Sequence, residues 1–332
     1  MQKQEVLSEF NGNNVQEHND ERQELEYVSD GSKELIVARK YIARFSLEKA
    51  RSRISKELIE AELPLPALIR HRKATNESLK SFTMTGSQFG GERALGIVRC
   101  SPDAMFAAVG SWSSSIRVFK ISSLSSEYSF LGHEGLIGGI AWNPFFGSQS
   151  QTPLHLASGG GDGKLCFWSC GRQDAIVDLK AHDQRIAHID FHPSGKYVGT
   201  ASYDRTWKLW DVETHRNVLV QDGHSGEVHA LCFSPDGSLC STGDKDAIGR
   251  VWDLRTGKTM MLLDGHSREI LGLDWDPNGF QLLSASGDGS VKAWDLRMIK
   301  CISTIAAHNQ LVSDVRFYKK VWTIQQFKRA LY

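Results

Sequence analysis

The stretch TASYDRTWKLWD, residues 200–211, contains Ser202 and Asp204, and a histidine, His182, lies eighteen residues before its first residue. Serine, histidine and aspartate are the side chains of a hydrolytic triad. Repetition decides against that reading. KLWD at 208–211 returns as RVWD at 250–253 and KAWD at 292–295. Trp168, Trp210, Trp252 and Trp294 are 42 residues apart, and so are His182, His224, His266 and His308. His133 stands 49 before His182, and the extra residues fall in the loop-like insertion FGSQSQTP, 146–153. A catalytic site is not built four times at a fixed interval, whereas a stacked structural unit is.

Within each unit, alternating runs such as VHALCF (228–233) and LGLDW (271–275) read as strands. They lead into HPSG (192–195), SPDG (234–237) and DPNG (276–279). In these turns proline presets φ and glycine accepts a positive φ. Asp162, Asp204, Asp246 and Asp288 each precede a repeat tryptophan by six residues. A Gly-His or Ala-His pair, about 28 residues and then Trp-Asp resembles the WD-repeat β-propeller, which has four strands per blade. The resemblance implies a buried tetrad in each blade, in which the turn aspartate holds the histidine, the histidine meets a hydroxyl, and the hydroxyl meets the indole N–H. His182, Ser202, Asp204 and Trp210 are expected to form one, and His266, Ser286, Asp288 and Trp294 another. Blades two and four carry Gly160 and Asp244 where that hydroxyl is expected, so their networks should be weaker.

Blades are expected at 94–131, 136–180, 185–222, 227–264 and 269–306, within a propeller region of 89–317. The first departs from the pattern, with Phe119-Lys120 for Trp-Asp and Ser113 for the turn aspartate. A partial sixth opens with LVSDVRF, 311–317, and gives way to a divergent tail, 318–332. Seven blades are expected by resemblance to the family. On that comparison about 70 residues at the observed period are wanting, as in a truncated isoform or a mis-spliced gene product, and an unclosed ring would expose strand edges.

The 332 residues carry no net charge, but the charge is unevenly placed. Residues 1–32 hold eight acids and two bases, net −6; residues 33–80 hold twelve bases and six acids, net +6. The acidic leader, 1–30, is poor in large apolar residues and reads as disordered. The basic segment, 31–88, reads as two helices. Ser32 would cap the first, with Leu35, Ala38, Ile42 and Phe45 as its apolar face. Ser46 would cap the second, with Leu47, Ala50, Ile54 and Leu58, ended by Pro64 and Pro66, and a short helix is expected at 76–82. No apolar run approaches the length of a membrane span and no signal peptide opens the chain. The six cysteines have no metal spacing and suit a reducing compartment.

Two other motifs carry less. SGGGDGKL (158–165) lacks the glycine and hydroxyl spacing of a phosphate-binding loop and falls at the blade-two hairpin. WDLR at 252–255 and 294–297 resembles the Trp-Asp-x-Arg signature of substrate receptors for cullin-type ubiquitin ligases; this is the alternative functional reading. No cofactor, metal or enzymatic activity is expected.

Stretches outside the generic blade pattern are more specific. ARKYIARFSLEKARSRI (38–54) resembles the helical segment before the propeller in the pre-mRNA processing factor four family, the WD-repeat subunit of the U4/U6 small nuclear ribonucleoprotein. FHPSGKYVGTASYDRTWKLWD (191–211), FSPDGSLCSTGDKDAIGRVWDLRTGK (233–258) and IAAHNQLVSDVRF (305–317) resemble it in the same order. The resemblance implies a nuclear, non-catalytic scaffold of the U4/U6 di-snRNP and U4/U6·U5 tri-snRNP. Its implied partners are U4/U6 snRNA, a pre-mRNA processing factor three-type subunit, a cyclophilin-type prolyl isomerase and other tri-snRNP proteins. The family's small N-terminal splicing-factor motif is not visible here.

Positions before the turn aspartate face the loop-bearing rim of a propeller, which places Trp112, Tyr203 and Lys245 there as partner-binding candidates. Arg185, Arg205 and Arg268 would add charge suited to phosphate or an acidic peptide. In the helical segment Arg39, Lys40, Arg44, Lys49, Arg51 and Arg53 concentrate positive charge and are the candidates for snRNA backbone contact.

Overall fold

The computed structural model describes residues 32–61, 65–84, 86–147 and 154–317. The expected acidic leader and the divergent tail lie outside the described residues. Five four-stranded antiparallel sheets follow two helices. Blade one is β1 (Leu95–Cys100), β2 (Phe106–Ser111), β3 (Ser115–Lys120) and β4 (Ser126–Leu131). Blade two is β5 (Ile137–Trp142), β6 (Leu156–Gly160), β7 (Lys164–Trp168) and β8 (Val177–Lys180). Blade three is β9 (Ile186–Phe191), β10 (Tyr197–Ser202), β11 (Trp207–Asp211) and β12 (Asn217–Gln221). Blade four is β13 (Val228–Phe233), β14 (Leu239–Asp244), β15 (Gly249–Asp253) and β16 (Thr259–Leu263). Blade five is β17 (Ile270–Trp275), β18 (Gln281–Ser286), β19 (Ser290–Asp295) and β20 (Lys300–Ala306).

Each sheet is a meander in which consecutive strands pair. The first strands line the centre: β1 packs on β5, β5 on β9, β9 on β13 and β13 on β17. This is the geometry of a β-propeller. The Pro-x-Gly turns join first to second strands, and Gly195, Gly237 and Gly279 there have φ of 69°, 74° and 74°, values that any side chain would strain.

The core is distributed between blades. Ala157 and Leu165 of blade two share one cluster with Ile186, Ile189 and Val198 of blade three. Leu231 and Trp252 of blade four join Ala201 and Leu209 of blade three, and Val251 and Leu263 join Ile270 and Leu282 of blade five. A sheet facing a neighbour on each side must be apolar on both faces, and β10 and β14 are accordingly buried along their whole length. Burying each such aliphatic side chain contributes about 1.5–3 kcal/mol, so every blade depends on its neighbours.

Residues 311–317 form no ladder, yet they occupy a sixth first-strand position. Val312, Val315 and Phe317 are buried against Leu283, Ala285, Val291 and Ala293 of blade five. A Cβ on Gly272 of β17 would stand 2.8 Å from Asp314 Cα, so only glycine admits this approach. The same close passage brings Gly139 of β5 against the backbone of His188 and Ile189 in β9.

The helical segment differs from the two-helix expectation. A single helix, α1 (Lys33–Ala61), runs through Ser46, and a second, α2, covers Leu65–Lys80 rather than only 76–82. Ser46 is buried and its hydroxyl donates to the Ala43 carbonyl, an interior bond that leaves the helix intact in place of a cap. Ser32 accepts the Leu35 N–H at 3.2 Å and does cap the start. Ala38 and Ile42 are buried in the cluster of Tyr197, Val218, Leu219 and Leu254, but Leu47, Ile54 and Leu58 are exposed.

Candidate functional site

The histidine networks use a different hydroxyl from the expected one. His182 Nδ1 donates to Asp204 at 2.7 Å; Thr200, not Ser202, meets His182 Nε2 at 2.7 Å and accepts the Trp210 N–H at 3.0 Å. In blade five Ser284, not Ser286, lies 2.7 Å from His266 Nε2 and accepts from Trp294 at 2.8 Å, while His266 Nδ1 meets Asp288 at 2.9 Å. The reason is strand register: Val198 pairs with Trp210, so Thr200 is two residues further along the same face, and Ser202 is already at the turn. Ser202 and Ser286 instead donate to the carbonyls of Arg185 and Arg268, and accept the N–H of Asp204 and Asp288.

Blades two and four therefore do not lack the hydroxyl. Ser158 links His133 to Trp168, both contacts at 2.7 Å, and Thr242 links His224 (2.6 Å) to Trp252 (2.8 Å). In blade four the carboxylate is Asp244, 2.8 Å from His224 Nδ1, and Asp246 accepts from Ser225 instead. A carboxylate accepts only, so Nδ1 carries the proton; the hydroxyl then donates to Nε2 and accepts from the indole, and each atom is satisfied. Burial holds His182 and His266 below the ordinary imidazole range despite their aspartates. Burial alone would raise Asp204, but the bonds it accepts from His182 and Thr206 keep it well below the usual carboxylate range. With His182 and Thr200 at 1% and 0% exposure, the triad-like set is a structural relay closed to substrate.

The rim candidates divide. The turns between second and third strands emerge at the end opposite the Pro-x-Gly turns. There Arg185 and Tyr203 come together, with the guanidinium over the ring 5.1 Å from its centroid and His229 packed T-shaped against it, centroids 5.0 Å apart. Both line a cavity of about 470 Å3 at the channel, with Arg99, His188, His229 and Asp314. Trp112 is half exposed, its indole beside Gly96 on the same cavity wall. Lys245 pairs with Glu227 at 3.4 Å, and Arg205 and Arg268 are exposed outside the cavity lining.

Sequence reasoning missed the interior of this cavity. Arg99 donates to Asp314 at 2.9 Å and lies 2.9 Å from His188 Nε2, joining blade one, blade three and the sixth position. Burial and the nearby Arg99 and Arg316 push His188 down to about 3, so it is neutral. The signal was present, since Asp314 is 126 residues, three periods of 42, after His188.

The six helix cations divide too. Arg39 lies against Gly257, and Arg53 Nη1 donates to the Asn278 carbonyl, so both are turned onto the Pro-x-Gly face. Lys40, Arg44, Lys49 and Arg51 are exposed, Lys49 lying 5.5 Å from the Phe45 ring centroid. With Ser52, Arg53 and Lys56, Lys49 lines a groove of about 280 Å3 against Pro235, Asp236 and Asn278. The WDLR arginines are engaged locally: Arg255 forks onto Asp253 at 3.0 and 3.2 Å, and Arg297 stacks 4.0 Å from the Phe280 centroid.

Among the described residues no group of histidine, cysteine and carboxylate side chains could hold a metal, and no helix is long and apolar enough to cross a membrane.

Residues 124–169, 174–211, 216–253 and 257–295 match the family described as WD domain, G-beta repeat. Each match begins at or just before the outer strand of one sheet and runs through the first three strands of the next. The chain is 42% identical over 182 residues to an uncharacterized WD repeat-containing protein of Schizosaccharomyces pombe, covering 54% of this chain and 39% of that one. It is 33% identical over 210 residues to U4/U6 small nuclear ribonucleoprotein PRP4 of Saccharomyces cerevisiae, covering 61% and 44%. It is 37% identical over 180 residues to U4/U6 small nuclear ribonucleoprotein Prp4 of Mus musculus, covering 54% and 34%. The matched stretch thus spans less than half the length of these relatives.

Proposed function

From a chain that belongs to the WD-repeat family, we propose a non-catalytic scaffold subunit of the nuclear U4/U6 particle, acting in pre-mRNA splicing. The observation that carries the reading is the pair of PRP4 likenesses, from yeast and mouse, over a propeller whose polar networks are internally satisfied. The Arg185–Tyr203–His229 cluster at the channel mouth is the protein-docking site, because it presents a rigid ring with a cation already stacked on it. Its partner is a processing factor three-type subunit or another protein of the particle, with a cyclophilin-type isomerase in the same assembly. Contact with the U4/U6 snRNA backbone is assigned to Lys49, Arg53 and Lys56, whose groove lies on the opposite face. The ubiquitin-ligase reading loses its support, since Arg255 and Arg297 are committed within their own blades.

The test is immunoprecipitation of the tagged chain from nuclear extract, with sequencing of bound RNA. Recovery of U4 and U6 above other small RNAs is expected. Recovery of cullin-ligase proteins without U4 or U6 would replace this reading with the alternative.

A further inference from the structure

Helix α1 has a second face. Its inner side is occupied: Ala38 and Ile42 are in the core, Phe45 packs 5.6 Å from His192, Tyr41 6.0 Å from Tyr197, and Arg53 reaches blade five. On the far side Val37, Leu47, Ile54 and Leu58 are 66%, 65%, 50% and 63% exposed. Lys40, Arg44 and Arg51 fill the places between them, all exposed and in no ion pair among the described residues. Positions 37, 40, 44, 47, 51, 54 and 58 step by three and four, which keeps them on one stripe of a helix. At 1.5 Å per residue the stripe is about 30 Å long.

No acidic residue lies on that stripe. Glu34 is turned to Arg216 and Glu57 to Arg53, and Glu48 stands at its margin. Cations alone would suit an RNA backbone as well as a protein. Four large aliphatic side chains in the same seam would not, because phosphate and sugar offer them nothing to bury against. Their spacing fits the ridge of another helix, which packs residues at the same three- and four-residue steps. The unneutralised positive charge requires that helix to bring carboxylates.

The geometry points to a docking surface on the outward face of α1 for an acidic amphipathic helix of a partner protein. The occupant carries aliphatic residues at three- and four-residue spacing, flanked by aspartate or glutamate that meet Lys40, Arg44 and Arg51. This surface is separate from both the channel mouth and the Lys49–Lys56 groove, and its existence does not depend on which particle the chain serves.

The test is photo-crosslinking with the full chain in nuclear extract, with benzoylphenylalanine introduced in turn at positions 47 and 54. The expected product is a crosslink to a protein whose attached peptide is acidic and carries aliphatics at the predicted spacing. Adding Arg44→Glu and Arg51→Glu should reduce its yield about tenfold or more. The same double variant should unfold at an unchanged temperature, because both side chains are in solvent. A crosslink to RNA, a crosslink to a peptide without that pattern, no crosslink, or a yield indifferent to charge reversal would each overturn the proposal.

Discussion

Asp274 accepts the backbone N–H of Phe317 at 2.6 Å, across the boundary between blade five and the sixth position. Asp190 accepts the N–H of Phe233 at 3.0 Å across the boundary between blades three and four. Both pairs are 43 residues apart, one period plus one. The indoles of Trp142 and Trp275 make the matching link with the side chain on the later blade, donating to the carbonyls of Arg99 and Cys232. These bonds tie backbone to neighbouring blade where apolar packing alone would allow sliding. Arg316 stands over Asp274 at 3.3 Å and Asp314 at 3.5 Å, so the last described residues are held by charge as well.

Asp190→Ala should therefore weaken the seam between blades three and four. It strands the buried Phe233 N–H, and the loss of stability should be about 1–3 kcal/mol. Chemical denaturation measures it, with hydrogen exchange at Phe233 rising in step. Unchanged protection there would show that the carboxylate does not hold the seam.

Thr200 should matter more than Ser202. Thr200→Val keeps the shape but leaves both the Trp210 N–H and His182 Nε2 without a partner, at 0% exposure. A loss of about 2–4 kcal/mol is expected, against about 1 kcal/mol for Ser202→Ala, whose bonds are to turn backbone. Denaturant midpoints of the two variants decide it, and the reverse order would contradict the observed relay.

The propeller, its blade boundaries and the repeat residues were legible in sequence because a 42-residue period states them four times over. The hydroxyl was misplaced because Ser202 and Thr200 both fit a pattern of residue types. Alternation puts both on the indole's face, and only the pairing of Val198 with Trp210 tells that Thr200 is within its reach while Ser202 is already at the turn. The Asp246 expectation failed for a related reason, since the spacing to Trp252 is met while the turn presents Asp244 to the histidine. The channel cluster went unread because Arg99, His188 and Asp314 sit on three separate units, and no local pattern connects them. Helical spacing gave an apolar face to each of two expected helices, and could not say that in the single α1 Leu47, Ile54 and Leu58 would face water.

Acid should loosen the blades through their histidines before it reaches the carboxylates of Asp204 and Asp288. His133, His182 and His266 are held below their ordinary 6.5, chiefly by burial, with their aspartates opposing. A lowered folded-state value means the unfolded chain binds the proton more tightly. The stability these groups contribute is thus complete above about pH 6.5 and is lost as pH falls below it. Asp204 and Asp288, also lowered, add losses of the same sign only below their ordinary 3.8. Asp276, raised to about 6 mainly by burial, acts oppositely: its contribution is full at low pH and fades as pH rises through 6. Thermal melts of the wild type and His182→Gln from pH 7 to 5 separate these contributions. The gap between the two proteins should narrow as pH falls, and a gap that widens would show that His182 is not buried neutral.

Docking of α1 should be separable from folding of the blades. Ile42 is 1% exposed among Tyr197, Val218 and Leu254, so Ile42→Ala opens a cavity at the helix–propeller contact. Such truncations cost about 2–5 kcal/mol when the site cannot collapse. Two polar anchors, Arg53 on Asn278 and Lys196 4.8 Å from the Tyr41 centroid, are partly in solvent, with side chains 27% and 45% exposed, and contribute little alone. Hydrogen exchange should therefore rise along Lys33–Ala61 while β10, β14 and β18 keep their protection. If the strands lose protection together with the helix, α1 is an integral part of the propeller core, and the helix and blades unfold as one unit.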